Sequence, residues 1–280
     1  MAMFAQMARA AGFLLLFLLL TALTQVGGIV LLGWLPLRRV VNARMPDGLL
    51  KRLAGPLGFL VLYLVVTFLL VPPLARRLGR VPLPLRGTAY VAPLTVWTRL
   101  LNRHYVKPGL RESLYDAARQ LHAAFPGTRV AYLDANFPFL DGFPLWPHLS
   151  HNDGNKLDLA FCYRDARTGE RLSGRAVSPI GYGGYEGPAR GEPDTPADCA
   201  ARGYWQYGLL GHLVPPGRQE TMRFDAERTR QFIRLLLAQP GVGKLFIEPH
   251  LKARLRLRSG KIRFHGCRAV RHDDHIHVQR

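Results

Sequence analysis

A stretch from Ala10 to Leu37 carries no charged residue, and a second apolar stretch runs from Pro56 to Ala75. At 1.5 Å per helical residue, each is long enough for the roughly 30 Å of a bilayer's hydrocarbon. Neither has the polar face of a surface helix, and Trp34 and Tyr63 suit interfacial or packed positions. Residues 1–80 are therefore expected to form a membrane anchor of two transmembrane helices. Two other readings compete: Gly12 to Leu23, after Arg9, as the hydrophobic part of a cleaved signal peptide, or both runs as a buried core hairpin. Arg38, Arg39, Arg44, Lys51 and Arg52 crowd the segment between the runs, and Arg76, Arg77, Arg80 and Arg86 follow the second. The five cations lean towards a cytoplasmic loop, which places the rest of the chain outside.

The formal net charge of +19 predicts attraction to polyanions such as anionic headgroups, an acidic wall polymer or nucleic acid, and does not choose among them. Only Cys162, Cys199 and Cys267 are present, which excludes a dense disulfide framework and a four-cysteine zinc site. One bridge at most can form, and spacing does not say which.

Pro82, Pro84 and Pro93 mark residues 81–108 as a connector, with a domain over residues 109–280. Leu114, Ala117, Ala118 and Leu121 predict a helix from Arg111 to Phe125, stopped by Pro126-Gly127. Strands are expected at Arg129–Leu133, Lys156–Tyr163, Lys244–Glu248 and Asp274–Gln279. Arg164 to Gly191 reads as a polar loop or lid, and Asp225 as the cap of a helix running to Gln239.

Half of the ten histidines fall in or beside two clusters, His148-Leu149-Ser150-His151 with Asp158 downstream, and His272-Asp273-Asp274-His275-Ile276-His277. Catalytic zinc commonly takes three ligands from His, Asp and Glu, a set that His151, Asp158 and His277 supply. Gly154 permits a tight turn that brings Asp158 back towards His151. On a strand, His275 and His277 share a face while Ile276 and Val278 enter the opposite, apolar layer. His-rich segments also bind metals adventitiously, and a lone His-x-His is weak. Two separated clusters make the stronger case.

From about Arg111 to Val278 the chain resembles the penicillin-insensitive murein endopeptidases, in the wider group that includes D-alanyl-D-alanine carboxypeptidases and the hedgehog signalling domain. Ser150-His151, Asp158 seven residues on, and the closing His272, His275, His277 and Val278 match that family's pattern. Phe246 to Lys252 looks like its strand-then-helix element. Gly154-Asn155-Lys156-Leu157-Asp158 stands where the family has Gly-Leu-Asp-Val-Asp. The resemblance implies an α+β fold, a small mainly antiparallel sheet with flanking helices around a zinc site, preceded here by the two membrane helices. It further implies Zn2+ on His151, Asp158 and His277, with His275 and His272 as catalytic residues. His148, Asp273 and Asp274 are then candidates for orienting ligands or gripping substrate.

The expected function is hydrolysis of an amide in peptidoglycan stem peptides or cross-links, at a bacterial inner membrane with the domain facing the periplasm or exterior. The alternative is a non-catalytic zinc-containing module that binds wall peptides or a membrane partner. Nucleic acid is not an expected partner, since charge alone suggests it. Arg254, Arg256 and Arg258 could meet phosphate or carboxylate, or form a solvated basic face. Gly181-Tyr182-Gly183-Gly184-Tyr185 reads as a mobile aromatic loop at a groove, or as an ordinary glycine-rich surface loop.

Overall fold

The computed structural model describes residues 1–214 and 219–280. Its first part is helical: α1 (Ala2–Thr24), α2 (Gly27–Arg44), α3 (Leu49–Val65), a π-helical turn at Val66–Leu70, and α4 (Val71–Arg77). Met3–Thr24 and the continuous helix Leu49–Arg77 are long and apolar enough to cross a membrane. The uncharged stretch from Ala10 is not one helix, because Gln25 takes a left-handed φ of 64° and ends α1. The Thr24 hydroxyl accepts from the Gly27 amide and bridges the break. At Gly28 a Cβ would lie within 2.8 Å of Phe17, so the absence of a side chain lets α2 start against α1. Further along, Gly58 of α3 faces Trp34 of α2 and Gly55 faces Arg38, so these two helices run antiparallel.

The remainder is a mixed α/β domain. Its six-stranded sheet is ordered β10-β9-β11-β5-β4-β2. The strands are β2 (Val91–Pro93), β4 (Val130–Tyr132), β5 (Lys156–Ala160), β9 (Lys244–Phe246), β10 (Ile262–Arg263) and β11 (His275–Gln279). The three central pairings are antiparallel, and the two outer ones, β10 with β9 and β2 with β4, are parallel. A second sheet of β6 (Tyr163–Asp165), β7 (Arg171–Leu172) and β8 (Met222–Phe224) lies beside it. Strands β1 (Val81–Pro82) and β3 (Tyr105–Val106) pair separately. Among the described residues, six α-helices complete the domain: α5 (Trp97–Leu100), α6 (Pro108–Ala124), α7 (Thr195–Ala201), α8 (Leu209–Leu213), α9 (Ala226–Leu237) and α10 (Pro249–Arg254).

Helix α6 starts one turn earlier than its apolar spacing suggests, because Pro108 is well tolerated in a first turn. Its Leu110, Leu114, Ala117 and Leu121 meet Phe232, Ile233 and Leu236 of α9 over the apolar face of the sheet. Asp225 caps α9 by accepting from the Arg228 amide. Residues 81–108 do not behave as a connector: β2 is an edge of the main sheet, and Leu83, Val91 and Val106 are buried in the same core. The stretch Lys156–Tyr163 divides into β5 and β6, which join different sheets. Arg254, Arg256 and Arg258 lie around the end of α10, where Arg254 pairs with Glu192.

The N-terminal helices and the domain share a second apolar cluster of Val26, Val30, Tyr63, Val71, Ala75 and Tyr105, with Phe139 against it. The Phe139 amide donates to the Gln25 side chain at 2.8 Å, and the Asn102 amide group donates to Tyr63 and Thr67. Buried Arg80 donates to the Phe137 carbonyl and pairs with Asp141.

Asn136 braces the centre of the domain. Its amide donates to the carbonyls of Tyr105 and Lys156, and its oxygen accepts from Gly154. Asn136→Ala strands these buried groups and is expected to cost about 2–4 kcal/mol, read as a lowered thermal midpoint of the full chain in detergent.

Candidate metal centre

Strand register builds the site. In the β5–β11 pairing His277 stands directly opposite Asp158, and His275 opposite Ala160. Alternation puts both histidines on one face, while Ile276 and Val278 enter the main core on the other. His151 arrives from the loop before β5, where Gly154 turns with φ 79° and passes close to Lys107 and Arg80.

The atoms that would face an ion are close together. His151 Nε2 lies 3.0 Å from His277 Nδ1 and 3.2 Å from Asp158 Oδ1, and His277 Nδ1 lies 2.9 Å from that same oxygen. A tetrahedral site with bonds near 2.05 Å spaces its ligand atoms roughly 3.3 Å apart, so this triangle fits one divalent ion with little adjustment. Three overlapping groups that could hold a metal ion exist among the described residues: His151, Asp158 and His277; His148, Asp158 and His275; and His272, His275 and His277. All six residues are buried.

Neighbouring groups set which ring atoms are free. His151 Nδ1 donates to the Ala135 carbonyl at 2.6 Å, which leaves the Nε2 lone pair for coordination. Asp158 Oδ2 accepts from the Tyr182 hydroxyl and meets His148 Nδ1, each at 2.9 Å, so Oδ1 remains to face the centre. Asp274 holds His275 through Nδ1, and its other oxygen accepts from the Gly183 amide. His275 Nε2 is buried without a hydrogen-bond partner, 3.6 Å from Asp158 Oδ1, and His148 Nε2 is likewise unpartnered. Orphaned buried nitrogens around one carboxylate are what an ion or its ligand would satisfy.

The electrostatics of Asp158 and His277 favour the same use. Burial opposes ionisation of Asp158, but His151, His275 and His148 outweigh it and hold the carboxyl well below its usual range. Burial drives His277 down to about 3, so it presents the neutral imidazole that coordination requires. Burial also opposes protonation of His275, yet Asp158 and Asp274 prevail and lift it to about 9.

Asp273 does not join the cluster. Its carboxylate pairs with Arg271, and its carbonyl accepts from the Glu186 amide, which ties the excursion before α7 to the strand. The His272 ring packs 4.9 Å from His275, while its amide donates to Glu248, a carboxyl that burial raises to about 7. Tyr182 has a place that the sequence reading leaves open: it is buried, and the Asp134 amide donates to its hydroxyl as that hydroxyl donates to Asp158. Its glycine-rich setting marked the loop but not the contact. Ala135 and Gln279, whose side-chain amide is 3.1 Å from His277 Nε2, gave no motif signal.

A groove of about 340 Å³ opens above the centre, with His148, His272 and His277 at its base and Trp146, Leu149, Leu209, Leu210 and Val270 among its walls. Cys199–Cys267 is the disulfide, and Cys162 is the free thiol. It joins α7 to the loop that carries His265 and Arg268 to the groove.

Asp158→Asn is expected to abolish tight metal binding, and Tyr182→Phe to weaken it about 10–100-fold, as loss of a group orienting a ligand does. Competition with a chelating dye measures both. The chain matches no protein-family model and no curated protein.

Proposed function

We propose that this protein is a membrane-anchored zinc peptidase that hydrolyses an amide bond in peptidoglycan stem peptides or cross-links. The carrying observation is the buried triangle of His151 Nε2, Asp158 Oδ1 and His277 Nδ1, with an unpartnered His275 nitrogen beside it. Two imidazoles and one carboxylate suit zinc in a site with a free coordination position. When bound there, the ion supplies Lewis acidity, polarising an amide carbonyl and making water a competent nucleophile near neutral pH.

The protein's own groups do the rest. Asp274 fixes His275 through Nδ1, and the ring, protonated near neutral pH, presents Nε2–H to donate to a developing oxyanion. His272, at the base of the groove, is placed to steady the departing amine or a substrate carbonyl. Tyr182 and His148 occupy Asp158 Oδ2 and keep the carboxylate in one orientation.

The cellular setting has its own support. A disulfide belongs to an oxidising compartment, which suits a domain in the periplasm or outside the cell. Arg38, Arg39 and the charges up to Arg52 lie at the end of α2 and α3 away from the domain, as a cytoplasmic position requires. The charge of +19 suits an acidic wall polymer or anionic lipid.

The test is a digest by the full chain in detergent, resolved by mass, of cross-linked stem-peptide dimers and of monomeric stem peptides. Cleavage is expected, abolished by a chelator, restored by zinc and lost in His277→Ala. Stoichiometric zinc with no fragments from either substrate overturns the peptidase reading in favour of the binding module.

A further inference from the structure

The helix Leu49–Arg77 fixes a depth scale. It is free of charge from Leu53 to Ala75, between Lys51-Arg52 and Arg76-Arg77, which is about 33 Å of helix and one hydrocarbon thickness. Helices α1 and α2 accompany only its lower part. Trp34 meets Gly58, and the start of α2, at Val26 and Val30, clusters with Tyr63, about 18 Å short of Ala75.

Above Tyr63 that helix packs on the domain instead. Tyr63 donates to the Leu100 carbonyl, Thr67 accepts from Asn102, and Val71 and Ala75 cluster with Tyr105. A bilayer placed between the two pairs of cations therefore surrounds this side of the domain. The domain exposes large apolar side chains there, Val96, Trp97 and Leu140 at 45%, 48% and 59%, with the charges of Arg86 and Asp141 beside them. Here the Asn102 amide group donates to Tyr63 and Thr67 and ties the helix to the domain.

The metal centre is close to that depth. Phe139, whose amide is held by Gln25 at the α1–α2 turn, is four residues from Ala135, whose carbonyl holds His151. Four residues span at most about 14 Å, so the centre lies within roughly 20 Å of a residue sunk in the membrane. The chain from Phe139 then runs to Trp146, which is 61% exposed, and Leu149, both at the groove. A polar wall strand needs no such apolar wall, whereas a lipid chain does.

We propose that the substrate of this centre is an amphiphile seated in the bilayer, an amide-bearing headgroup carried on a lipid chain whose first methylenes lie between Trp146–Leu149 and Leu209–Leu210. The chemistry rests on the peptidase reading, and the membrane seat rests on reading Leu49–Arg77 as a membrane-spanning helix.

The test uses the full chain with zinc in nanodiscs of phosphatidylethanolamine and phosphatidylglycerol, and a stem-peptide dimer either free or N-palmitoylated. The palmitoylated dimer is expected to be cut at least about tenfold faster in kcat/KM, the gain from burying roughly two methylenes. Trp146 fluorescence, in a chain with Trp34, Trp97 and Trp205 replaced by Phe, is expected to be quenched by lipid spin-labelled near its headgroup. Should that chain fold poorly, Trp146→Phe in the otherwise unchanged protein gives the same signal by difference. Equal rates for the two dimers, or an unquenched Trp146, overturn the inference. Failure to cut either dimer overturns the peptidase reading instead, and quenching then decides the membrane seat by itself.

Discussion

Asp158 is a fully buried carboxylate among four imidazoles, with a tyrosine hydroxyl on its outer oxygen. Burying that charge in a sheet is costly, and the surrounding residues compensate for the cost. The strand pairing that sets His277 opposite it, the turn at Gly154, and the Ala135 carbonyl on His151 all serve one small volume. A carboxamide of the same shape would keep the packing and remove the attraction that assembles the histidines.

The legible parts of this fold were those with a strong local signal. Alternation across His275 to Val278 gave both the site face and the core face, and Asp225 announced the start of α9. Prolines misled at residues 81–108, because proline at a sheet edge is tolerated where no ladder donor is needed, and β2 is such an edge. The break at Gln25 was hidden, since a left-handed residue in a uniformly apolar stretch leaves no trace in hydropathy. Residues that steady Asp158, His151 and His277, namely Tyr182, Ala135 and Gln279, act through position in space or a backbone carbonyl. No spacing rule reaches them.

The N-terminal helices and the His/Asp cluster are physically continuous. Gln25 holds the Phe139 amide, Arg80 holds the Phe137 carbonyl, and Asn136 joins Tyr105 to the turn before β5. These are short links through buried groups, so the helices pack with the domain as one body. They form part of its floor, and a version cut after α4 would expose Tyr105 and Val71's former partners to water.

The Cys199–Cys267 bridge closes a loop of 68 residues, which by chain entropy is worth about 4 kcal/mol against unfolding. Its mechanical effect is local. The segment bearing Gln206, Leu209 and Leu210 and the loop bearing His265 and Arg268 are covalently one frame. Two sides of the groove therefore cannot spread apart, and room for a bulky guest has to come from Trp146 to Ser150, the side left unfastened.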